Sequence, residues 1–312
     1  MNILITGGAG YIGTVLVERL LAETDAKIVI FDNLMYKQDG IFALLHNPRV
    51  AFVYGDVRDR ANLLPYLAWA DYIIPLAAIV GMPACDKDPK LASDVNHHQL
   101  KFIAETTKVA RIIVPNTNSG YGVMENGQPC TEDSPLKPLS VYGRTKCEGE
   151  KAVMDSGRGV ALRLATLFGT SYRFRKDLLV NDFVLKALTD KYVVLFESHF
   201  KRNYIHIRDV VGVILRIIKM WDVYAGKVFN LGLSSANLNK MELCLKIKEQ
   251  IPGFVIKQDE FTKDFDQRNY IVSNARLEAT GWQPSYSLED GIAELIKAYP
   301  VLTKTHTKYT NL

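Results

Sequence analysis

The sequence predicts an α/β fold, a doubly wound parallel sheet followed by a smaller C-terminal region. Three observations lead to this prediction. Short β-rich runs alternate with longer helical patterns through the first half of the 312 residues, several of these runs are apolar almost throughout, and 48 % of all residues are hydrophobic. Strands that are apolar on both faces are typical of a parallel sheet covered by helices, and such strands are connected through right-handed crossovers.

The predicted elements follow each other closely along the chain. In the first half, the predicted strands are 2–6, 27–32, 50–54, 72–76, 111–115 and 160–166, and helical patterns fill the gaps at 11–22, 59–68, 90–107 and 140–156. In the second half, helical patterns at 178–189, 208–221, 239–250 and 288–299 alternate with strand-like pieces at 191–196, 203–207 and 227–231. No repeat or low-complexity linker separates the halves, so we expect them to pack directly against each other.

Composition and charge argue against several kinds of function. The net charge is only +4 and the Lys and Arg residues are scattered, so we do not expect the protein to bind nucleic acid. The four cysteines have no CxxC spacing and no histidine at a metal-ligand interval, which predicts reduced thiols and no metal site. No signal peptide precedes the first strand and no apolar run is long enough to span a bilayer, so we expect a soluble, cytoplasmic protein.

A glycine-rich turn, TGGAGYIG, follows the first predicted strand. Gly7, Gly10 and Gly13 fit the pattern GxxGxxG, and the neighbouring Gly8 completes GxGxxG as well. An amphipathic helix follows the turn, and the second strand ends in Asp32, 19 residues after Gly13. Glycines let the backbone approach a pyrophosphate at a helix N-terminus, and a carboxylate binds the ribose hydroxyls but repels a 2′-phosphate. The sequence therefore predicts a dinucleotide site that prefers NAD to NADP.

The ends of the third and fourth predicted strands extend this site. Asp56, in the stretch GDVRD, could accept a hydrogen bond from an adenine amino group, although an Asp here also suits the N-cap of the next helix. The fourth strand ends in Leu76, Ala77 and Ala78. Their small side chains would leave room for a dinucleotide.

A Tyr-x-x-x-Lys motif lies in the helical pattern at 140–156. Tyr142 and Lys146 are one turn apart on the same face of this helix. An unperturbed Tyr has a pKa of about 10, and the lysine charge, a positive nicotinamide and hydrogen bonds to the oxygen would together favour the phenolate. Such a tyrosine could take a proton from an alcohol whose carbon transfers hydride to NAD. Thr117, 25 residues upstream at the end of the fifth strand, could orient both the substrate and Tyr142.

These motifs together resemble the extended short-chain dehydrogenases/reductases of the nucleotide-sugar epimerase and dehydratase type. The resemblance rests on TGGAGYIG, Asp32-Asn33, GDVRD, LAA, Asn96 and the set Thr117, Tyr142 and Lys146, and it covers essentially the whole chain. It implies a Rossmann-like NAD-binding domain at 1–168 plus about 205–232, and a smaller C-terminal substrate-binding domain at about 169–204 and 233–312.

The resemblance also implies roles for individual residues. Thr117, Tyr142 and Lys146 would be catalytic, NAD would be tightly held, and two helices of each subunit would form a homodimer. The implied cofactor-binding residues are Gly7, Gly10, Tyr11, Ile12, Gly13, Asp32, Asn33, Asp56, Val57, Leu76, Ala77, Ala78, Asn96, Tyr142 and Lys146.

In the second half, the same resemblance assigns contacts to a nucleotide-sugar substrate. The segment 174–188 is similar to the one that covers the sugar nucleotide, with Asn181 as a contact. Arg202 in KRNYIH and Arg268 in DQRNY lie in stretches similar to Arg-bearing stretches of the family, and two guanidinium groups suit a diphosphate. The implied substrate-binding set also contains Asn118, Ser119 and Thr166.

The residues after Thr117 indicate which reaction comes after oxidation of the sugar, an oxidation that in this family is usually at C4. The 4,6-dehydratases have Thr-Asp-Glu where this chain has Thr117, Asn118 and Ser119. Asn118 cannot titrate and Ser119 is a poor base. Three acids lie nearby in the sequence but not at that place: Glu125, Glu132 and Asp133. We therefore predict that the protein is not a 4,6-dehydratase.

Two outcomes of the oxidation remain open. In a 4-epimerase the keto sugar turns in the site and the same hydride returns to its other face, whereas a dehydrogenase or reductase releases the keto sugar. Thr166-Leu167 stands where many epimerases have Asn-Pro, and the chain is also similar to oxidoreductases of bacterial capsule sugar pathways, including those acting on GDP-linked heptoses. We predict a C4 oxidoreductase on such a sugar, with a 4-epimerase as the alternative and a non-catalytic NAD-binding sensor as a distant one.

Overall fold

Strands of three sheets make up the β-structure of the protein, seen in a computed structural model that describes residues 1–123, 128–259 and 268–304. The strands are β1 (Asn2–Thr6), β2 (Lys27–Asp32), β3 (Val50–Tyr54), β4 (Tyr72–Pro75), β5 (Arg111–Thr117), β6 (Gly159–Leu164), β7 (Thr166–Phe168), β8 (Tyr192–Phe196), β9 (Lys201–His206), β10 (Val228–Leu231), β11 (Asn237–Asn239) and β12 (Val255–Asp259). The main sheet has seven parallel strands in the order β3-β2-β1-β4-β5-β6-β10. This order, with β1 inside the sheet between β2 and β4, confirms the predicted doubly wound, Rossmann-like sheet.

Helices cover both faces of the main sheet. The helices of the described residues are α1 (Tyr11–Glu23), α2 (Arg60–Trp69), α3 (Met82–Lys87), α4 (Pro89–Ser93), α5 (Gln99–Thr106), α6 (Val141–Asp155), α7 (Leu179–Thr189), α8 (Ile207–Lys219), α9 (Trp221–Tyr224), α10 (Lys240–Gln250), α11 (Ala275–Glu278) and α12 (Leu288–Lys304). A π-helical turn, Asp94–His98, joins α4 to α5, and 3₁₀ turns occupy Phe42–Leu44 and Asn118–Tyr121.

Alternate side chains of β1 enter two different cores. Ile3 and Ile5 of β1 pack in a core shared with α1 and α8, whereas Leu4 packs in a core shared with α2, α5 and α6. All three side chains are fully buried. Because both faces of β1 are covered, its sequence is apolar at consecutive positions, as parallel strands between two helix layers require.

Two small sheets extend the fold beyond the main one. β9 pairs with β7 in parallel and with β11 in antiparallel, and β8 pairs with β12 in parallel. Helix α7 packs against α10 and α12 beside these sheets. Buried side chains of α7, α10 and α12 belong to the same core as those of α1 and α8, so the two halves of the chain share one apolar interior.

The structure differs from the sequence prediction at a few boundaries. The single strand predicted at 160–166 is two strands, because the chain passes from the main sheet to the three-stranded sheet at Ala165. Strand β5 continues two residues beyond the predicted end and therefore includes Thr117. The predicted division into two domains stays a prediction, since the shared core does not separate them. Among the described residues, no helix has the length and hydropathy of a membrane span, and no group of three or more His, Cys, Asp or Glu side chains could hold a metal ion.

Candidate active site

A cleft of about 830 Å³ opens where the strands of the main sheet end. Gly7, Asp32, Ala77 and Thr117, which follow or end β1, β2, β4 and β5, all line it. In the strand order, β1 and β4 are neighbours whose connections leave in opposite directions. Such a switch point at the carboxyl ends of parallel strands is where open α/β sheets bind ligands.

Most of the predicted site residues lie along this cleft. Those that line it are Gly7, Gly10, Tyr11, Ile12, Gly13, Asp32, Asn33, Asp56, Val57, Leu76, Ala77, Ala78, Thr117, Ser119, Tyr142, Lys146, Thr166, Arg202 and Arg268. Three predicted residues do not line it, namely Asn96, Asn118 and Asn181.

The glycine turn after β1 has a conformation and a packing that exclude side chains. Gly7 has a φ of +70°, and a Cβ there would lie 2.5 Å from the backbone nitrogen of Ala77. Gly10 is the N-cap of α1, and neither a capping side chain nor an acidic residue occupies the first turn. The amide groups at the N-terminus of α1 are therefore suited to an anion such as a pyrophosphate.

Asp32, at the end of β2, is buried beside this turn. Its carboxylate accepts hydrogen bonds from the backbone N–H of Ala9 at 3.0 Å and of Leu34 at 2.8 Å, and from Gln38 Nε2 at 3.1 Å. Burial raises the pKa of Asp32, and the backbone hydrogen bonds partly oppose this rise. Asp32 thus joins the glycine turn to the loop after β2 and lines the cleft between them.

Asp56 also lines the cleft, but it is already paired. Arg58 forms an ion pair with it at 2.7 Å, and this interaction, with a further hydrogen bond from Asn33, lowers the pKa of Asp56. Asp59, not Asp56, caps α2, by accepting from the N–H of Asn62. The N-cap role that the sequence left open for Asp56 therefore belongs to Asp59.

Tyr142 and Lys146 lie on the first two turns of α6, which begins at a capping serine. Ser140 Oγ accepts from the N–H of Gly143 at 3.1 Å, which fixes the start of the helix beside the end of β5. Lys146 Nζ donates to the carbonyl of Pro115 at 2.7 Å. Burial lowers the pKa of Lys146 to about 8. Helix capping and this lysine contact bring Tyr142, Lys146 and Thr117 to one end of the cleft.

The charge that acts on Tyr142 differs from the sequence-based expectation. Burial raises the pKa of Tyr142, and the opposing influences are the Arg268 guanidinium, a hydrogen bond with Thr117 and the Arg175 guanidinium. The ammonium group of Lys146 donates to the carbonyl of Pro115. In this state Arg268 is therefore the cation that most favours the phenolate.

Ser119 links Arg268 to the catalytic end of the cleft. Its hydroxyl lies 2.9 Å from Thr117 Oγ1, from which it accepts, and it also contacts Arg268 Nη1. The diphosphate role predicted for Arg268 has to be reconsidered in this light, because its guanidinium lies beside Thr117 and Tyr142. The preceding residues of its stretch, Asp266 and Gln267, lie outside the described residues.

The three predicted asparagines that do not line the cleft are buried in the protein interior. Asn96 is bonded through its amide to both backbone groups of Ile79, at 2.9 Å each. Asn181 accepts from the N–H of Gly169 at 3.1 Å and donates to the carbonyl of Arg175 at 2.8 Å. Asn118 is buried, and neither of its amide atoms has a hydrogen-bond partner among the described residues.

Basic side chains that the sequence analysis did not select also line the cleft. They are Arg173, Arg175 and Lys240, in addition to the predicted Arg202. Arg173 stacks over the ring of Tyr36 at 4.9 Å, Arg175 is paired with Asp177, and Lys240 Nζ donates to a backbone carbonyl at 2.8 Å. The run YRFRKDL, charged and placed just before the apolar pattern of α7, is the signal that could have indicated two of them. This density of guanidinium groups suits a phosphorylated ligand.

Residues 169–175, here termed the crossing segment, run from β7 across helix α1. Tyr11 donates its hydroxyl to the carbonyl of Gly169 at 2.8 Å, and Ser171 Oγ donates to the carbonyl of Tyr11 at 2.7 Å. Thr14 Oγ1 lies 3.0 Å from Ser171 Oγ. The segment that ends in Arg173 and Arg175 is thus attached to the helix that begins at the glycine turn.

A comparison with known families agrees with this arrangement. Residues 3–232 match the sequence model described as the NAD dependent epimerase/dehydratase family. The chain belongs to this family. It is therefore an NAD-dependent enzyme of the nucleotide-sugar epimerase and dehydratase type, as the sequence analysis predicted.

Similar members of the family differ in their described activities. The low-salt glycan biosynthesis protein Agl12 of Haloferax volcanii is 30 % identical over 313 residues, which cover 96 % of this chain and 98 % of that protein. A dTDP-glucose 4,6-dehydratase of Streptomyces griseus is 27 % identical, covering 96 % and 94 %. The structure of a UDP-glucuronic acid 4-epimerase from Bacillus cereus, in complex with UDP-glucuronic acid and NAD, has a TM-score of 0.85 and 25 % identity, covering 97 % and 100 %.

The residues of the cleft fit the cofactor of the family. The left-handed Gly7, the uncapped N-terminus of α1 and the carboxylate of Asp32 are arranged as a pyrophosphate and a ribose diol require. Tyr142 and Lys146 lie at the opposite end of the same cleft, where the reactive end of a dinucleotide would meet a substrate.

Replacement of Asp32 by Asn is expected to reduce the preference for NAD over NADP by at least about tenfold, because a charged hydrogen bond is worth roughly 1.5–3 kcal/mol. Loss of the charge also removes the repulsion of a 2′-phosphate. Titration of both cofactors against the purified variant would measure the ratio. Asp59→Asn, which alters a carboxylate that only caps α2, is the control. An unchanged ratio in Asp32→Asn would remove Asp32 from cofactor selection.

Proposed function

We propose that the enzyme oxidises the C4 hydroxyl of a nucleotide-activated sugar and does not eliminate water. One observation carries this proposal: Thr117, Tyr142 and Lys146 line a cleft that is also lined by the basic side chains of Arg173, Arg175, Arg202, Lys240 and Arg268. A diphosphate would bind among the arginines and place the sugar toward Tyr142. Bound NAD supplies the acceptor for the hydride of the sugar carbon.

The chain's own groups then account for the proton. Tyr142 is the general base for the C4 hydroxyl, and Thr117 orients it through the hydrogen bond between them. The charge of Arg268 and the ammonium group of Lys146 stabilise the phenolate form when substrate and cofactor fill the cleft. Tyr142 is half-buried in the wall of the cleft, where it can meet the substrate.

The carboxylates of the cleft support the exclusion of dehydratase chemistry, although a dehydratase is among the relatives. Elimination across C5 and C6 needs an acid and a base. The described acids that line the cleft are Asp32, Asp56, Asp177 and Asp182. Asp32 and Asp56 belong to the glycine-turn end, Asp177 is paired with Arg175, and Asp182 is paired with Lys186 at 2.8 Å.

The acids near Thr117 in the sequence do not reach the cleft either. Glu132 accepts from the N–H of Asn230 at 2.8 Å, and Asp133 pairs with Arg276 at 2.5 Å. Neither residue lines the cleft. Glu125 lies outside the described residues. Ser119 and Arg268 occupy the space next to Thr117 in place of a titrating pair.

Two products are compatible with this chemistry. A released 4-keto sugar corresponds to the oxidoreductase that the sequence analysis put first, with a GDP-linked heptose of a capsule or surface polysaccharide as its substrate. Epimerisation at C4 is the second candidate, and the similarity to a UDP-glucuronic acid 4-epimerase supports it.

Incubation of the purified enzyme with UDP-, GDP-, CDP- and dTDP-sugars, including a GDP-heptose and UDP-glucuronic acid, tests this function. The expected product is a 4-keto sugar or a C4 epimer, identified by NMR, with the absorbance of NADH reporting the oxidised step. A 4-keto-6-deoxy sugar would refute the exclusion of dehydration. Absence of any product from NAD-loaded protein would favour the non-catalytic sensor. The homodimer implied by the family resemblance stays a prediction, which sedimentation of the same sample would decide.

A further inference from the structure

A buried charge cluster joins the catalytic helix to the strand that carries Thr117. Glu150 of α6 accepts hydrogen bonds from Arg163 of β6. Arg163 Nη2 lies 2.7 Å from Glu150 Oε1, and Arg163 Nε lies 3.2 Å from each carboxylate oxygen. Asn116 of β5 donates its side-chain amide to the other side of the same carboxylate. All three side chains are buried. We call Glu150, Arg163 and Asn116 the Glu150 cluster.

The remaining donors of Arg163 are also occupied. Its Nη1 donates to the hydroxyl of Tyr121 at 3.0 Å and to the carbonyl of Glu132 at 3.0 Å. The Tyr121 hydroxyl in turn donates to Asn230 Oδ1 at 2.6 Å. The guanidinium is therefore held from several directions, and it fixes the position of the Glu150 carboxylate. A buried ion pair contributes little net stability compared with apolar residues of the same volume, so stability alone does not account for this arrangement.

The Glu150 cluster adjoins the two residues of β5 that contact Tyr142 and Lys146. Asn116 lies between Thr117, which bonds to Tyr142, and Pro115, whose carbonyl accepts from Lys146 at 2.7 Å. On the helix side, Glu150 follows Lys146 by one turn and lies on the same face. The Glu150 carboxylate thus faces Lys146 along the helix. It also holds Asn116, which lies between Thr117 and Pro115.

We propose that Glu150 is a positioning residue for the reaction: it holds the end of β5 through Asn116 and keeps the buried Lys146 ammonium charged. This role rests on the proposed function, since it acts through Lys146 and Thr117. Glu150 itself does not line the cleft, so it has no direct contact with substrate or cofactor.

The charges around Lys146 identify Glu150 as the main support of its protonated form. Burial lowers the pKa of Lys146 to about 8, and the carboxylate of Glu150 is the largest opposing influence. The other titratable groups that face Lys146 are the thiols of Cys147 on α6 and Cys85 on α3, while Arg163 faces Glu150 from β6. Neutralising Glu150 is expected to lower the pKa of Lys146 further, by on the order of one unit for a nearby opposite charge.

Glu150→Gln is the primary test, with Glu148→Gln as its matched control. Glu148 is on the same helix, half-exposed, and lies against His97 instead of the cluster. In Glu150→Gln, the alkaline limb of the pH–rate profile for sugar oxidation should move to lower pH by about one unit. In Glu148→Gln it should not move. Glu150→Asp, which retains the charge, should restore the position of the limb.

A second measurement does not depend on turnover. NMR titration of the Lys146 Cε signal, assigned by its absence in Lys146→Met, should show the same shift in Glu150→Gln. An unchanged titration midpoint in a folded Glu150→Gln protein would overturn the proposal. If the midpoint shifts and no sugar is oxidised by the wild-type enzyme, the proposed function fails while the electrostatic role of Glu150 stands.

Two further variants cover the case in which Glu150→Gln does not fold. Glu150→Met combined with Arg163→Met removes both charges together, a change that buried pairs often tolerate. Because the positive charge of Arg163 is removed together with the negative charge of Glu150, its Lys146 midpoint should fall by less than the shift expected for Glu150→Gln, and a midpoint that falls as far as that would contradict the role of the pair. Asn116→Ala keeps the ion pair but releases the strand, and should lower kcat without moving the Lys146 midpoint. An unchanged kcat in Asn116→Ala would refute the positioning of β5.

Discussion

Tyr142→Phe is expected to lower the rate of sugar oxidation by about 10²- to 10⁴-fold, the range typical of a lost general base. The phenyl ring fills the same half-buried space, so the fold and the binding of NAD should be retained. Without the Tyr142 hydroxyl, the proton of the C4 hydroxyl has no acceptor next to Thr117. Other hydroxyl groups that line the cleft, such as those of Thr117 and Ser119, are weak bases and cannot replace it.

Single-turnover reduction of bound NAD measures this effect directly. The sugar would be one that the wild-type enzyme oxidises, and cofactor content would be checked by absorbance before each run. Tyr54→Phe is the control, because Tyr54 is 69 % exposed on the edge strand β3. A rate in Tyr142→Phe within a factor of a few of the wild-type rate would exclude Tyr142 as the base.

Glu294→Gln is expected to reduce the free energy of unfolding by roughly 1–2 kcal/mol at neutral pH, because solvent screens part of the interactions of this half-buried carboxylate. Glu294, on α12, accepts from the N–H of Thr170 at 2.6 Å and from Arg208 Nη1 at 2.9 Å, and it lies 3.1 Å from His206 Nε2. Burial raises its pKa, but the hydrogen bonds from His206 and Thr170 outweigh burial and lower the pKa from 4.5 to about 2. The ionised form is therefore the one that stabilises the fold.

The same shift sets a pH range for this stabilisation. Because the pKa is lower in the folded than in the unfolded state, the contribution is complete above about pH 5 and is lost as the pH falls toward 2. Urea unfolding between pH 3 and pH 7 would show a shallower acid dependence in Glu294→Gln than in the wild-type protein. Glu289→Gln, on the same helix but exposed and paired with Lys246, should leave the dependence unchanged. If the free energy of unfolding changed equally with pH in Glu294→Gln and in the wild-type protein, Glu294 would not be the source of this stabilisation.

Local sequence patterns were sufficient to predict the main sheet and to locate the glycine and Tyr–Lys motifs. The strands 2–6, 27–32 and 50–54 have the predicted bounds, because apolar runs between turn residues leave little choice of ends. The passage from β6 to β7 could not be predicted, since one apolar run does not reveal a change of sheet. The spacing within α6 determines which side chains share a face, and this placed Tyr142 and Lys146 correctly on one side.

The polar residues around the cleft were harder to predict, and the reason is physical. An amide such as Asn96 can face a ligand or bond to a backbone turn, and its surroundings in the sequence are the same in both cases. The position of Arg268 beside Ser119 depends on contacts between residues 149 positions apart. The bond of Lys146 to Pro115 depends on how β5 and α6 pack, which the sequence does not reveal.

The crossing segment gives the two ligands of this enzyme a common support. Its hydroxyl and carbonyl groups bond to α1, while Arg173 and Arg175 line the cleft before α7 begins. A dinucleotide and a sugar nucleotide that both contact these residues would share the entropic cost of holding them. By thermodynamic linkage, each ligand would then raise the affinity for the other by the same factor. We therefore expect the two binding events to be cooperative, so that the affinity for one ligand has to be measured at a stated concentration of the other.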